Sequence, residues 1–240
     1  MDCKKNEKFT VLTFSTVKHL AGLFGTHDVN FEREQVIEIA AAKIKKGRIT
    51  KHFSSFIALD GYDMHRFEFK DYNFNLNGIR AEHLIGAPTL EETAKTIKAF
   101  VGDDTVIVRG NANHKEHPYQ LFITAAEKFG VIFENDVLDI ELIHRAVRLQ
   151  VLLEDEGKEF EEATPLEIAG MLAPEHDNWT DIFLDYNVSF DTSEDAAWAQ
   201  DRSDPLSWAL AFAKFLIKML ELNEKYEWKV YDADDEDIPF

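Results

Sequence analysis

Residues 35–57 constrain the fold of this chain more than any other stretch. Two β-prone runs, 35–44 (QVIEIAAAKI) and 49–57 (ITKHFSSFI), flank Lys45-Lys46-Gly47-Arg48, a polar link whose glycine accepts positive φ. They read as an antiparallel hairpin. An earlier apolar run, 9–14 (FTVLTF), supplies a first strand, and 104–108 (DTVIV) supplies a short buried one. Between these strands lies a helix signal. Thr89-Leu90-Glu91-Glu92 is a capping box, in which Thr89 caps the helix and Glu92 reaches back. Leu90, Ala94, Ile97 and Val101 then recur at helical spacing. Residues 116–129 predict a second helix with Phe122, Ala125, Ala126 and Phe129 inward, and 138–153 and 165–172 predict two more. Three strands, a helix, a strand and further helices specify an α/β fold, with a mixed central sheet that contains an antiparallel hairpin and is flanked by helices.

The remaining chain divides by composition. Residues 173–203 mix Pro, Asp, Asn and Ser with scattered aromatics and predict a long irregular insertion. Asp204-Pro205 is a good N-cap and N1 pair for a last helix. Its apolar residues form two stripes, Leu206, Leu210, Ala213, Ile217 and Leu220, and Trp208, Phe212, Phe215 and Met219. A helix apolar on two sides packs deep. Residues 1–224 therefore form one domain, and 225–240 an acidic tail.

Charge and cysteine content narrow the function. Asp plus Glu number 45 against 26 Lys plus Arg, a net charge of −19. Nucleic-acid affinity comes mainly from neutralised phosphates, so weak or no direct binding is expected. A single cysteine, Cys3, excludes intramolecular disulfides and fits a reducing compartment. No basic segment precedes an apolar one at the start of the sequence, and no apolar run is long enough to span a bilayer. The expectation is a soluble cytoplasmic protein without a membrane role.

The element order and three stretches together resemble the DnaQ-like (DEDDh) 3′→5′ exonucleases, whose fold is ribonuclease H-like. The stretches are QVIEIAAAKIKKGRI, GIRAEHLIGAPTLEETAKTIKAFVGDDTVIVRGNANHKEHPYQLFITAAEKFGV and VLDIELI. The similarity runs from about residue 9 to about residue 222. Chemistry in that family needs four carboxylates and a histidine. The carboxylates hold two divalent cations about 3.5–4 Å apart, and the histidine is the general base.

The resemblance implies a degenerate site. The first strand of the family ends in Asp-x-Glu, where this chain has Thr13 and Ser15, followed by Thr16. Neither hydroxyl supplies the anionic coordination such cations take. The family's Asn-Ala-x-Phe-Asp is here Asn111-Ala112-Asn113-His114-Lys115, so a lysine stands at a metal aspartate. In the last motif Ala199 falls at the histidine and only Asp204 is retained, and an Asp before a Pro is equally a routine N-cap. Lys115 would then pair with Asp204 in place of a metal. His144-Arg145-Ala146 imitates part of that motif but falls in the wrong helix, and Asp139 reads as structural. Glu38 matches a family Glu without catalytic duty. No cofactor is implied, and Mg²⁺ or Mn²⁺ enters only if displaced acids rebuild the site.

The sequence closes on Asp234-Asp235-Glu236-Asp237-Ile238-Pro239-Phe240. This resembles the C-terminal tip of bacterial single-stranded-DNA-binding protein (SSB), an acidic run followed by Ile-Pro-Phe or Leu-Pro-Phe. That tip docks on genome-maintenance proteins such as RecO, RecQ, PriA and exonuclease I. Phe240 offers a ring to a pocket, Pro239 lowers the ordering cost, and the acids meet a basic surface. The resemblance implies partners of that type. The plainer reading is a solvated acidic run that keeps the protein soluble.

Overall fold

The computed structural model describes residues 8–17, 35–58, 79, 81–157, 179–188 and 205–226. Five strands form one sheet in the order β3-β2-β1-β4-β5. They are β1 (Lys8–Val17), β2 (Gln35–Lys45), β3 (Arg48–Phe56), β4 (Thr105–Val108) and β5 (Val137–Asp139). The helices are α1 (Ala81–Leu84), α2 (Leu90–Val101), α3 (Pro118–Glu127), α4 (Ile140–Asp155), α5 (Trp179–Asp185) and α6 (Pro205–Tyr226). β1 pairs antiparallel with β2, and β2 with β3, while β1–β4 and β4–β5 are parallel. The mixed α/β fold follows.

The predicted hairpin is present, and Lys46 and Gly47 turn it at φ 53° and 65°. Two central residues with positive φ match the twist of a two-residue hairpin turn. β2 is buried on both faces because α-helices cover both. Ala40, Ala41 and Ala42 keep its middle thin enough for close approach. On one face, Leu12, Ile39 and Ala41 meet Ala94, Ile97 and Val101 of α2 and Tyr119, Phe122 and Ala126 of α3. On the other, Phe9, Val11, Ala40 and Ala42 meet α4, α5 and α6. The two sets alternate along β1, as a strand covered on both sides requires.

Three sequence expectations shift. The helix expected over 116–129 ends at Glu127, so Phe129 lies beyond its C-cap and is 44% exposed, and Ala125 is half-buried. The helix expected from 138 begins at Ile140, because Val137–Asp139 instead pair with β4. Residues 173–203 are not irregular throughout, since α5 occupies Trp179–Asp185. A seven-residue helix is too short to persist alone. Packing holds this one: Trp179 lies 4.9 Å, centroid to centroid, from Phe212, and Phe183 lies 5.3 Å from the same ring. The last helix runs to Tyr226, two residues into the expected 225–240 tail, and the helix expected over 165–172, residues 227–240 of the tail and all but Trp179–Val188 of the 173–203 segment fall outside the described residues. No described helix is long and apolar enough to cross a membrane.

Candidate functional site

In an open α/β sheet, ligands gather outside the carboxyl ends of parallel strands where the strand order reverses. Here that point lies between β1 and β4. Their pairing covers only Phe9–Val11 against Thr105–Ile107, after which the strands part. The N-terminal end of α6 closes over the gap, and the Thr13 hydroxyl donates to the Pro205 carbonyl at 2.5 Å. A cavity of about 380 Å³ remains. Leu12, Phe14, Val108, Trp208 and Phe212 make most of its wall apolar, and Thr13, Arg109 and His117 add polar groups.

The β4–α3 connection forms one rim, and its shape is fixed from three sides. Gly110 takes φ 88°, and its N–H donates to Asp139 Oδ1 at 2.8 Å. The same oxygen accepts the Glu141 N–H at 2.9 Å, so Asp139 caps α4 and anchors the loop together. Burial raises the Asp139 pKa, and the backbone donors from Glu141 and Gly110 oppose that rise. His117 caps α3 by accepting the Tyr119 N–H at Nδ1. Its Nε2 must therefore carry the proton it donates to the Arg109 carbonyl, 2.7 Å away. The Arg109 side chain pairs with Glu141 at 3.1 Å and sits 5.9 Å from the Trp179 ring.

The residues singled out by sequence fall unevenly around this cleft. Thr13 lines it, and its hydroxyl is engaged by α6. Ser15 lies on the same strand face, buried, with its Oγ 3.4 Å from Glu38 Oε2 on β2. Glu38 is itself only 4% exposed. Lys115 is exposed in the loop between Arg109 and His117. Ala199 and Asp204 lie outside the described residues, and so does the expected Lys115–Asp204 pair. The acidic residues Asp234–Asp237 and Ile238-Pro239-Phe240 lie outside them too.

His144 is far from a general base. It sits among Trp179, Tyr186 and Phe215, with ring centroids 5.6–5.8 Å away. Burial first, then Arg148 and Arg145, lowers its pKa to about 4. It is half-buried, and its neutral form is favoured.

A two-cation centre requires several carboxylates on one spot. Among the described residues, no three His, Cys, Asp or Glu side chains converge. Two of the sequence-predicted positions, Thr13 and Ser15, carry hydroxyls and a third, Lys115, an ammonium, and Ser15 Oγ lies 3.4 Å from Glu38 Oε2. Of the sequence-predicted site positions, only Thr13, Ser15 and Lys115 lie among the described residues, and none of these three is a carboxylate.

Family comparison places the chain. The profile of a family described as exonuclease matches residues 24–188. The chain belongs to the exonuclease family. A stretch of 76 residues is 33% identical to DNA polymerase III subunit epsilon of Aquifex aeolicus (strain VF5), covering 32% of this chain and 35% of that relative. Among solved structures, a full-length 3′-exonuclease superposes with a TM-score of 0.57 at 10% identity, covering 98% of this chain and 93% of that one. The nuclease domain of 3′hExo, a DEDDh family member bound to rAMP, gives 0.52 at 11% identity, over 95% and 97%. These structures confirm the fold. Lys115 lies within the profile match, whereas Thr13, Ser15, Ala199 and Asp204 lie outside it.

Sequence reasoning missed Arg109, His117, Trp208 and Phe212 as parts of the cleft. A signal existed for the first, since Arg109-Gly110 directly follows a buried strand, where such sites form.

Proposed function

We propose that this chain is a non-catalytic member of the exonuclease family that works by binding proteins of DNA replication, repair or recombination. The donor chemistry of the cleft carries this reading. Hydroxyls at 13 and 15 are turned to a backbone carbonyl and to Glu38, and an ammonium stands at 115. None of the three replaces a carboxylate in clamping a phosphate between two cations. A net charge of −19 further opposes direct nucleic-acid binding.

The segment Asp234–Phe240 supplies the binding function in this reading. It would dock on proteins that recognise the SSB tip, of the RecO, RecQ, PriA or exonuclease I type, as adaptor, competitor or inhibitor. The test is capture from bacterial lysate by the full chain and by Phe240→Ala. Capture of SSB-binding proteins by the first alone is expected. Equal capture by both, or none by either, defeats the tail reading.

A second reading has one observation behind it. Glu38 places a buried carboxylate beside Ser15, near where the family keeps its second acid. A rearranged, Mg²⁺- or Mn²⁺-dependent 3′→5′ exonuclease on single-stranded DNA or RNA would use it. Assays with labelled single strands and both metals decide between the readings. Cleavage that disappears in both Glu38→Gln and Asp204→Ala establishes the enzyme, and absence of cleavage leaves the binding protein.

A further inference from the structure

We propose that the apolar cavity between β1, β4 and α6 is the docking site for this chain's own Ile238-Pro239-Phe240, so that the segment is held in reserve until a partner competes for it. The inference rests on the tail reading above. It asks where such a segment lies when no partner is present.

The cavity is suited to an aromatic side chain. Its volume of about 380 Å³ is at the small end of ligand pockets, and Phe14, Trp208 and Phe212 present ring surface to it. The polar groups in its wall are already engaged: Thr13 with Pro205, His117 with Arg109 and Tyr119, and Arg109 with Glu141. An occupant therefore gains mainly by burying apolar surface, which Ile238 and Phe240 offer.

Length permits the docking. From Tyr226 back to Trp208 is a span of about 27 Å along α6 at 1.5 Å per residue. Twelve further residues bring the chain to Ile238, a reach of about 40 Å when extended. Charge favours the same path. Lys214 and Lys218 stand one turn apart on α6, Lys218 with Glu221 3.6 Å away, and Lys115 lies in the loop between Arg109 and His117. The acids Asp232 and Asp234–Asp237 precede Ile238 and would pass these cations. A docked segment is withdrawn from partners, so their apparent affinity falls by the undocked fraction.

The experiment uses the full chain with p-benzoylphenylalanine at position 240, irradiated as a mixture of isotope-labelled and unlabelled protein. Cross-links are mapped by mass spectrometry. The proposal expects links to Phe14, Trp208 or Phe212 within one molecule. Their yield should fall roughly fivefold in Lys214→Glu/Lys218→Glu, the loss of two exposed ion pairs, with the circular dichroism spectrum unchanged. Links scattered over the surface, links between labelled and unlabelled chains, or no links each overturn it. Failure here remains distinct from failure of the tail reading. Cross-linking can be absent while Phe240-dependent capture persists, and can be present while no partner is captured.

Discussion

Asp104 offers the sharpest test of how the sheet is held at the end away from the cleft. Its residue is 1% exposed, yet its Oδ2 accepts the Thr10 hydroxyl at 2.7 Å and lies 3.0 Å from Lys43 Nζ. These contacts tie β1 and β2 to the start of β4. Lys43 also donates to the Val101 carbonyl at 3.3 Å and lies 5.8 Å from the Phe100 ring centroid. Asp104→Ala strands the fully buried Thr10 hydroxyl, a loss of about 1–3 kcal/mol. Breaking a fully buried ion pair by removing one partner costs about 3–5 kcal/mol. That figure is too large here, because the Lys43 side chain is 24% exposed and can turn toward water. The expected net loss is about 2–3 kcal/mol. Urea unfolding measures it as a lower midpoint at constant m. Asp104→Asn, which keeps an acceptor for Thr10, should lose less. Lys43→Met should couple to Asp104→Ala by about 1 kcal/mol or more in a double-mutant cycle. A loss below about 0.5 kcal/mol for Asp104→Ala would refute the reasoning, since it would mean the carboxylate contributes no more than a surface acid.

Other expectations follow from single groups. Burial holds the His144 pKa near 4, below its unfolded value of 6.5, so the neutral form is favoured on folding. The stability this supplies is complete above pH 6.5 and is lost as pH falls toward 4, by about 2–3 kcal/mol, and His144→Phe should flatten that part of the stability–pH curve. Thr89→Ala removes the cap that accepts the Glu92 N–H and should cost about 1 kcal/mol in thermal or urea unfolding. Gly110→Ala forces a Cβ onto φ 88°, 3.7 Å from the His117 ring, and should destabilise by about 1 kcal/mol or more. Thr13→Val removes the donor to the Pro205 carbonyl and should lower stability by about 1 kcal/mol, measured by urea unfolding.

The parts of the fold legible in the sequence are those whose signals are local. The Lys46-Gly47 turn, the Thr89 capping box and the paired stripes of α6 each carry their own chemistry within a few residues. β5 does not. Its three residues are a strand only because β4 offers a parallel edge, a partner about thirty positions away. α5 was hidden for the same reason, since Trp179 and Phe183 are helical by virtue of Phe212 and Phe215. Phe129 was misjudged by helical spacing alone, because the helix stops two residues earlier. Of Thr13, Ser15 and Lys115, which the sequence singles out, Thr13 alone lines the cavity. The cavity itself was not legible, because it arises where β1 leaves β4 and α6 closes over the gap.

On the proposed non-catalytic reading, the cleft residues serve the fold rather than a metal. A cluster of carboxylates repels itself unless cations are bound, so in a metal-dependent site the protein alone carries a stability cost. Here Thr13 and Ser15 make contacts within the fold that need no ion. Thr13, in the middle of β1, donates to the carbonyl of the first residue of α6, and Ser15 gives Glu38 a neighbour across the strands. The Asp104 contacts lie apart from the cavity, whereas the two apolar layers reach it through Leu12, Phe14, Val108, Trp208 and Phe212. Asp139 and His117 hold in shape the β4–α3 loop that carries Lys115.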